Sequence, residues 1–529
     1  MTARGHPGAG ARAEVRRRAW GAARRRRIST LDSHTPITPP LNAEAWTRGE
    51  RWLLAILVVA LAIRIATLGT YPLMDNTEAR YAEVARKMVE TGDWVTPQFR
   101  YGVPFWSKPP LSTWLAAGSY LTLGVNEFAA RFASLVPSLG VLWLTWVMAA
   151  RRGGRELQLK AAVVLVTTPL FFISSGAVMT DPALILGTTL SMAGFWQAMT
   201  RSDRAGRVWG WLFFVGLAIG LLAKGPVGVV LTLGPVGIWT LWKGGIANVW
   251  RRLPWLAGFA LTAVLAVPWY LLEESRTPGY LDYFIIGEHW KRYTQSGWRG
   301  DMYGTAHARP RGMIWVFALV STLPWSAVWL GLWLKLRRRN DVAPATPDDG
   351  WRAYLWLWLL ASPVLFTPAG NILATYVLPG LPAFALLVAE AWTTVGDHGR
   401  WNAATKYHGL TMPVIMLAAV LFALPRIAPT HSHEAIVALY LARRASPAEQ
   451  LVYVGPAPQS AEFYARGKLA DAASEADVTR YLRDGKRDFL ALTGAQFAAL
   501  SAFRDRLLPL ARSGRYQLFE ERPPFAPPQ

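Results

Sequence analysis

Apolar residues run in long blocks from residue 52 to about residue 426. Blocks at 52–70, 131–150, 157–178, 255–272 and 313–334 each approach the roughly 20 residues that a helix needs to cross a bilayer. Basic residues punctuate them: Arg151, Arg152 and Arg155; Arg201, Arg204 and Arg207; Arg251 and Arg252; Lys335, Arg337, Arg338 and Arg339. Under the positive-inside rule such clusters mark cytoplasmic loops. The pattern predicts an all-α polytopic membrane protein with about eleven spans, or about thirteen if short interfacial helices are counted.

Two segments break the rhythm. Thr77–Thr91 is too charged to span, and its stripe of Tyr81, Val84, Ala85, Met88 and Val89 predicts an amphipathic helix lying on a surface. Leu111–Leu123 is short for a span and predicts an interfacial or re-entrant helix. Counting it as a full span would place the later basic clusters outside, against the charge rule. With the N-terminus in the cytoplasm, the alternation puts Asp75, Asp181, Lys224 and the long loop 273–311 on the periplasmic face of a bacterial inner membrane.

Residues 1–50 are rich in Arg, Ala, Pro and Thr without apolar periodicity, which predicts a disordered basic cytoplasmic tail near anionic lipid. No apolar stretch with a cleavage site precedes Trp52, so the first span is expected to stay as an anchor of the transmembrane module, 51–426. From residue 427 the composition changes. Segments 451–455, 488–492 and 516–519 read as short strands, and 476–483 and 495–506 as helices. They predict a small soluble α/β domain, 427–529, on the periplasmic side. It shows no phosphate-cradling loop or catalytic set, so a packing or partner role is expected.

The formal charge is +22 over 529 residues, but the basic residues cap apolar blocks and do not form a binding surface, so membrane lipid is the expected acidic partner and nucleic acid is not. The chain has no cysteine, which excludes disulfides, a thiol nucleophile and Cys-based metal sites.

Polar residues gather on the predicted outer face. Asp75 and Glu78 read as a helix-capping pair or as acid–base groups. Asp181-Pro182 reads as a helix start or as a second carboxylate. Lys108 before two prolines, and Lys224 at a Lys-Gly-Pro break, read as snorkelling lysines or as a cradle for a lipid phosphate. The loop adds Glu288, His289, Arg292, His307 and Arg309. The His-x-x-x-His spacing of a helical zinc site is absent, so no metal is expected, and the arginines suit phosphate.

Strung together, Met74-Asp-Asn-Thr-Glu-Ala-Arg-Tyr-Ala-Glu-Val-Ala-Arg86, Gly92-Asp-Trp94, Lys108-Pro-Pro-Leu111 and Asn126-Glu-Phe-Ala-Ala-Arg131 resemble the first outer loop of bacterial aminoarabinose–lipid A transferases. They are also similar to enzymes of the protein O-mannosyltransferase class. Met179-Thr-Asp-Pro182, Ala223-Lys-Gly-Pro226, Glu288-His289 with Arg292-Tyr293, His307-Ala-Arg-Pro310 and Thr375-Tyr-Val-Leu-Pro379 continue the match in order across residues 52–390.

The resemblance implies a C-type membrane glycosyltransferase fold and a polyprenyl-phosphate sugar donor, with no cofactor. It implies Asp75 as catalytic base assisted by Asp181, with Glu78 as the other acid open to that role. Lys108, Lys224, Arg80 and Arg292 or Arg309 would hold the donor phosphate, and Tyr81 and Tyr376 would line the lipid cavity. It further implies inverting transfer of a sugar, such as 4-amino-4-deoxy-L-arabinose from undecaprenyl phosphate, to lipid A or another envelope acceptor. Mannosyl transfer to a secreted protein, and from another class a lipid-linked-sugar transporter, are the alternatives. Three departures stand out: Ser107 where the family has glutamate before Lys-Pro-Pro, Asn76-Thr77 separating Asp75 from Glu78, and Gly370-Asn-Ile-Leu-Ala374 in place of a Gly-Lys-Leu-Pro run.

Overall fold

The computed structural model describes residues 45–75, 77–338, 349–395 and 400–523; the rest of the predicted tail, residues 1–44, lies outside them. The chain divides into two units, 1–51 and 52–529. In the first, Thr47 and Glu50 exchange hydrogen bonds of 2.9 and 3.1 Å at the start of the helix Arg48–Ala66, a reciprocal cap for two backbone N–H groups.

Among the described residues, six helices are long and apolar enough to cross a membrane, or seven if the bent pair Met313–Ser321 and Trp325–Arg337 is one span. The other apolar blocks fall short for local reasons. Trp351–Phe366 has 16 residues. Asp181–Thr200 is diluted by glycine, threonine and serine. The block at 157–178 breaks at Thr167 and resumes as Pro169–Ser174. Pro324 sits at the 88° bend of the pair, where proline cannot continue the helical hydrogen bonds. Glu127–Val166 is two helices, because Gly153 and Gly154 leave helical geometry at the Arg151–Arg155 cluster.

The helices Asp181–Thr200 and Arg204–Lys224 pack closely against each other. A Cβ at Gly187 would stand 2.6 Å from the Gly220 nitrogen, and one at Gly216 would stand 2.3 Å from Ser191 Oγ. Small residues thus let the backbones meet, as membrane helices do where lipid supplies no hydrophobic drive between them.

The helices Thr77–Thr91 and Leu111–Leu123 form as expected. The first, however, does not present a polar face to an open surface. Glu78, Glu83, Arg86 and Lys87 are all buried. Their charges are matched locally: Arg86 meets Glu83 at 2.6 Å, and Lys87 meets Glu462 at 2.5 Å. Glu462 belongs to a short helix, Gln459–Tyr464, that covers this face.

Beyond the last long helix, five strands form a mixed sheet in the order β4-β3-β5-β7-β6, with β3 Leu451–Val454, β4 Ala470–Ala472, β5 Phe489–Thr493, β6 Leu507–Ser513 and β7 Tyr516–Glu521. A separate hairpin, β1 Gln98–Arg100 and β2 Val103–Pro104, follows the Thr77–Thr91 helix. In the sheet β3 pairs in parallel with β4 and β5, and β7 runs antiparallel to β5 and β6. Both faces are covered. Leu451, Tyr453, Phe489 and Ala491 pack on one side, and Val452, Leu490 and Leu492 on the other. A strand buried on both faces reads as a continuous apolar run, as 451–454 does.

Candidate active site

The loop that carries Asp75 is held by one arginine. Arg131, fully buried, donates to the carbonyls of Leu68 and Tyr71 at 2.8 Å and of Pro72 at 3.0 Å. It also grips Glu78 through Nε at 3.1 Å and Nη2 at 3.0 Å. All five guanidinium donors are used, and the group stacks 3.6 Å from the Tyr71 ring centroid. Glu78 accepts a further bond of 3.2 Å from the Val178 N–H. The Asp75–Glu78 spacing is therefore not a reciprocal cap: Glu78 reaches to Arg131 and to the segment before Asp181.

Asp75 faces elsewhere. Its Oδ1 accepts from the Ser460 N–H at 2.9 Å, and its Oδ2 from the Ser460 hydroxyl at 2.5 Å. Its own N–H donates to the carbonyl of His431 at 2.8 Å. Burial pushes the carboxyl upward, while the Ser460 hydrogen bonds and His431 pull it down, and burial prevails.

The cations converge at the loop 273–311. A π-helical segment, Asp282–Lys291, carries Glu288 inward, and its wider turn is of a kind frequent at functional sites. Glu288 meets Lys108 at 2.9 Å and Arg292 at 3.1 Å, and accepts from the Tyr283 hydroxyl at 3.3 Å. Arg292 also meets Asp301 at 3.1 Å. Burial opposes the charges on Lys108, Arg292 and Glu288. Their mutual attraction outweighs it, so both cations are held above their ordinary range and Glu288 below its own.

Lys224, the last residue of its helix, meets Asp181 at 2.7 Å and lies 5.0 Å from the Tyr376 ring centroid. Asp181 opens its helix as the sequence suggests, with the carboxylate turned to the lysine. His289 ties the two groups together. Its Nε2 lies 3.2 Å from the Lys224 carbonyl and its Nδ1 2.8 Å from the Phe284 carbonyl, and burial holds the ring below its ordinary pKa.

The remaining expected residues ring this cluster. Arg80 bonds the Tyr303 carbonyl, and Tyr303 in turn donates its N–H to Asp301 at 3.0 Å. Tyr81 lines a small cleft with Ser112, Leu115, Met179 and Pro182. Arg309 and His307 are exposed, their backbones tied to Gly370 and Ile372. Asp181, Lys108, Lys224, Glu288, His289, Arg292 and Tyr376 are thus brought together. The Asp75 and Glu78 carboxylates are engaged instead by Ser460 and Arg131.

Four residues escaped the sequence reading: Arg131, Asp301, Tyr283 and Ser460. Arg131 stood inside a quoted motif, and its position in an apolar block was the available signal. Ser460 lies 385 residues from Asp75 and carried none. Among the described residues no group of three or more His, Asp or Glu side chains is arranged to hold a metal ion.

The family model for dolichyl-phosphate-mannose-protein mannosyltransferase matches residues 51–284. The undecaprenyl phosphate-alpha-4-amino-4-deoxy-L-arabinose arabinosyl transferase 1 of Pseudomonas fluorescens (strain Pf0-1) is 27% identical over 394 residues, covering 74% of this chain and 66% of that protein. The corresponding transferase of Pseudomonas aeruginosa (strain UCBPP-PA14) is 28% identical over 351 residues, covering 65% and 60%. The chain thus spans less than two thirds of the length of these relatives. The crystal structure of ArnT from Cupriavidus metallidurans bound to undecaprenyl phosphate superposes with a TM-score of 0.71 at 22% identity, covering 90% of this chain and 99% of that one. Its apo state gives 0.68 at 21%, covering 91% and 100%. Over residues 51–284 the chain is thus similar to the protein mannosyltransferases, over a longer stretch it is similar to the aminoarabinose transferases, and it shares the fold of the ArnT structure.

Proposed function

We propose that this chain is an inverting glycosyltransferase that takes a sugar from a polyprenyl-phosphate carrier on the periplasmic face of a bacterial inner membrane. The observation that carries this is the gathering of three partly buried cations, Lys108, Arg292 and Lys224, each matched by a carboxylate at one end of the helical bundle. A lipid phosphate entering there takes the place of Glu288 and Asp181 as counter-ion and gains charge-assisted hydrogen bonds from all three. Arg80 and Arg309 border that position, and Tyr81 and Tyr376 line the route of the lipid.

In the reaction, an acceptor hydroxyl attacks the anomeric carbon as the bond from that carbon to the phosphate oxygen breaks. The hydroxyl proton passes to Asp75, and the electron pair leaves on polyprenyl phosphate. The cations stabilise charge that grows on the leaving phosphate, where fixed positive groups act most strongly. Asp75 suits the base better than Glu78, whose two oxygens are committed to Arg131 and Val178. Asp181 assists by positioning Lys224.

Its relatives' names favour 4-amino-4-deoxy-L-arabinose as the sugar and undecaprenyl phosphate as the carrier; lipid A, which the motif resemblance implies, is the leading acceptor. The mannosyltransferase family match supports mannosyl transfer to a secreted protein as a second reading. Mass spectrometry of lipid A, envelope glycans and glycoproteins from cells with and without the gene separates them. A pentosamine missing from lipid A supports the first, and a hexose missing from a glycoprotein the second. No difference in any fraction, with the protein expressed, overturns both.

A further inference from the structure

The C-terminal sheet does more than pack beside the membrane helices. It sends one short helix, Gln459–Tyr464, onto the loop that carries Asp75. Three side chains of that helix make separate attachments. Tyr464 accepts the Leu73 N–H at 2.8 Å, Glu462 pairs with Lys87 at 2.5 Å, and Phe463 packs among Leu73, Ala79, Ala82 and Tyr120. The fourth contact goes to the Asp75 carboxylate itself.

The geometry of that contact is specific. Ser460 gives one donor to each carboxylate oxygen, its backbone N–H to Oδ1 and its hydroxyl to Oδ2. The hydroxyl is not a free rotor. Its oxygen already accepts the His433 N–H at 3.0 Å, so its own proton is directed to Asp75. Each carboxylate oxygen keeps a second lone pair for an incoming proton. Ser460 itself is fully buried.

We propose that Ser460, delivered by the C-terminal sheet, is a positioning residue for Asp75: it fixes the carboxylate plane and keeps the group ionised for proton abstraction. This rests on Asp75 being the base. The titratable groups facing Asp75 are His431, whose carbonyl receives the Asp75 N–H, and Tyr453, whose hydroxyl lies 3.0 Å from His433 Nδ1. Burial keeps the Tyr453 phenol neutral, so Ser460 and His431 are the groups that favour the charged carboxylate. Removing the hydroxyl takes one of two strong donors from a buried anion, and the carboxyl is pushed further up. A carboxylate that loses its fixed plane also loses rate, since small misplacements at a reacting centre are costly.

The test uses the full chain in detergent, with undecaprenyl-phosphate-linked 4-amino-4-deoxy-L-arabinose and lipid A, following product by mass spectrometry from pH 5 to pH 9. For Ser460→Ala the expected result is a fall in kcat of about tenfold, with donor KM unchanged and the acidic limb of kcat/KM shifted upward by about one pH unit. Ser460→Thr restores both. Tyr464→Phe loosens the same helix without touching the carboxylate and leaves the limb in place. A wild-type acidic limb in Ser460→Ala, or a loss carried by KM alone, overturns the proposal, as does a limb shift in Tyr464→Phe. Asp75→Asn separates this from failure of the base assignment, because near-normal turnover in that variant removes the base and its positioning residue together. The chain has no cysteine of its own, so an Asp75→Cys, Ser460→Cys double variant treated with a short thiol cross-linker reads the contact independently of activity. Cross-linking is expected, and its absence overturns the contact on which the proposal stands.

Discussion

Arg131 and Glu78 face each other as a two-point pair, Nε to Oε1 at 3.1 Å and Nη2 to Oε2 at 3.0 Å, 53 residues apart in the chain and buried between two helices. The pair sets the segment 68–72 in place, because the remaining donors of Arg131 hold the carbonyls of Leu68, Tyr71 and Pro72.

Breaking one side of a buried ion pair leaves an uncompensated charge, and the cost is about 3–5 kcal/mol. Arg131→Ala is expected to unfold the loop region and lower the melting temperature of the detergent-solubilised protein. Glu78→Gln keeps an acceptor for Arg131 and for the Val178 N–H, so it is expected to be milder and to retain measurable turnover. Asp75→Asn is expected to stay folded and lose transfer. A Glu78→Gln protein that is fully folded and wholly inactive would transfer the base role from Asp75 to Glu78.

Lys108 and Lys224 are expected to weaken polyprenyl-phosphate binding when either is changed to Ala. A charge-assisted hydrogen bond contributes about 1.5–3 kcal/mol, so each loss corresponds to roughly a ten- to hundredfold weaker affinity. The check is a binding measurement with undecaprenyl phosphate in detergent, which needs no acceptor. Unchanged affinity in Lys224→Ala would leave that residue as a lysine paired with Asp181 for stability alone.

How much of this was legible in sequence follows from the range of each interaction. The blocks, their basic punctuation and the two non-spanning helices Thr77–Thr91 and Leu111–Leu123 are local properties, and both helices form with those bounds. Lys108 and Lys224 were visible because cations beside prolines and glycines in apolar surroundings are costly, and Arg292 because it stands in the outer loop with Glu288 and His289. Their partners were not. Glu288 lies 180 residues from Lys108, and Asp181 43 from Lys224. The burial of the polar face of Thr77–Thr91 depends on a helix near residue 460, which periodicity cannot foresee. The strands β4 and β6 escaped for another reason. The first has three residues, and the second alternates through Pro509 and Arg512 without a clean apolar face.

Gly216 offers a test of the membrane packing. A side chain there meets Ser191 Oγ at 2.3 Å and the Gly187 carbonyl at 2.6 Å, both within one helix contact. Gly216→Val must push the helices Asp181–Thr200 and Arg204–Lys224 apart, at a cost of about 1–3 kcal/mol or more. Since both Asp181 and Lys224 sit at the ends of these helices, the 2.7 Å pair between them should loosen too. The expected outcome is lower thermal stability together with weaker undecaprenyl phosphate binding. Loss of stability with normal binding would show that the pair is set by its local turns.

The C-terminal sheet should respond to pH through Asp488 and Glu521. Both are buried at the edge where β5 meets β7, and burial pushes them up to about 6 and about 7, from ordinary values of 3.8 and 4.5. The folded sheet therefore holds its protons more tightly than the unfolded chain does. Its extra stability is complete below the ordinary carboxylate range and is lost as pH rises through about 7. Glu449, held below its ordinary value in spite of its partial burial by Arg487 and nearby backbone N–H groups, works in the opposite direction, so the total slope mixes both. Asp488→Asn isolates one component: it keeps an oxygen for the Gln450 N–H, bonded at 2.7 Å, and cannot ionise. Hydrogen exchange of the β5 and β7 amides in the full chain, corrected for intrinsic rates, should show several-fold less opening at pH 5 than at pH 8 in the native protein. In Asp488→Asn that difference should shrink. An equal difference in both proteins would place the pH response outside Asp488.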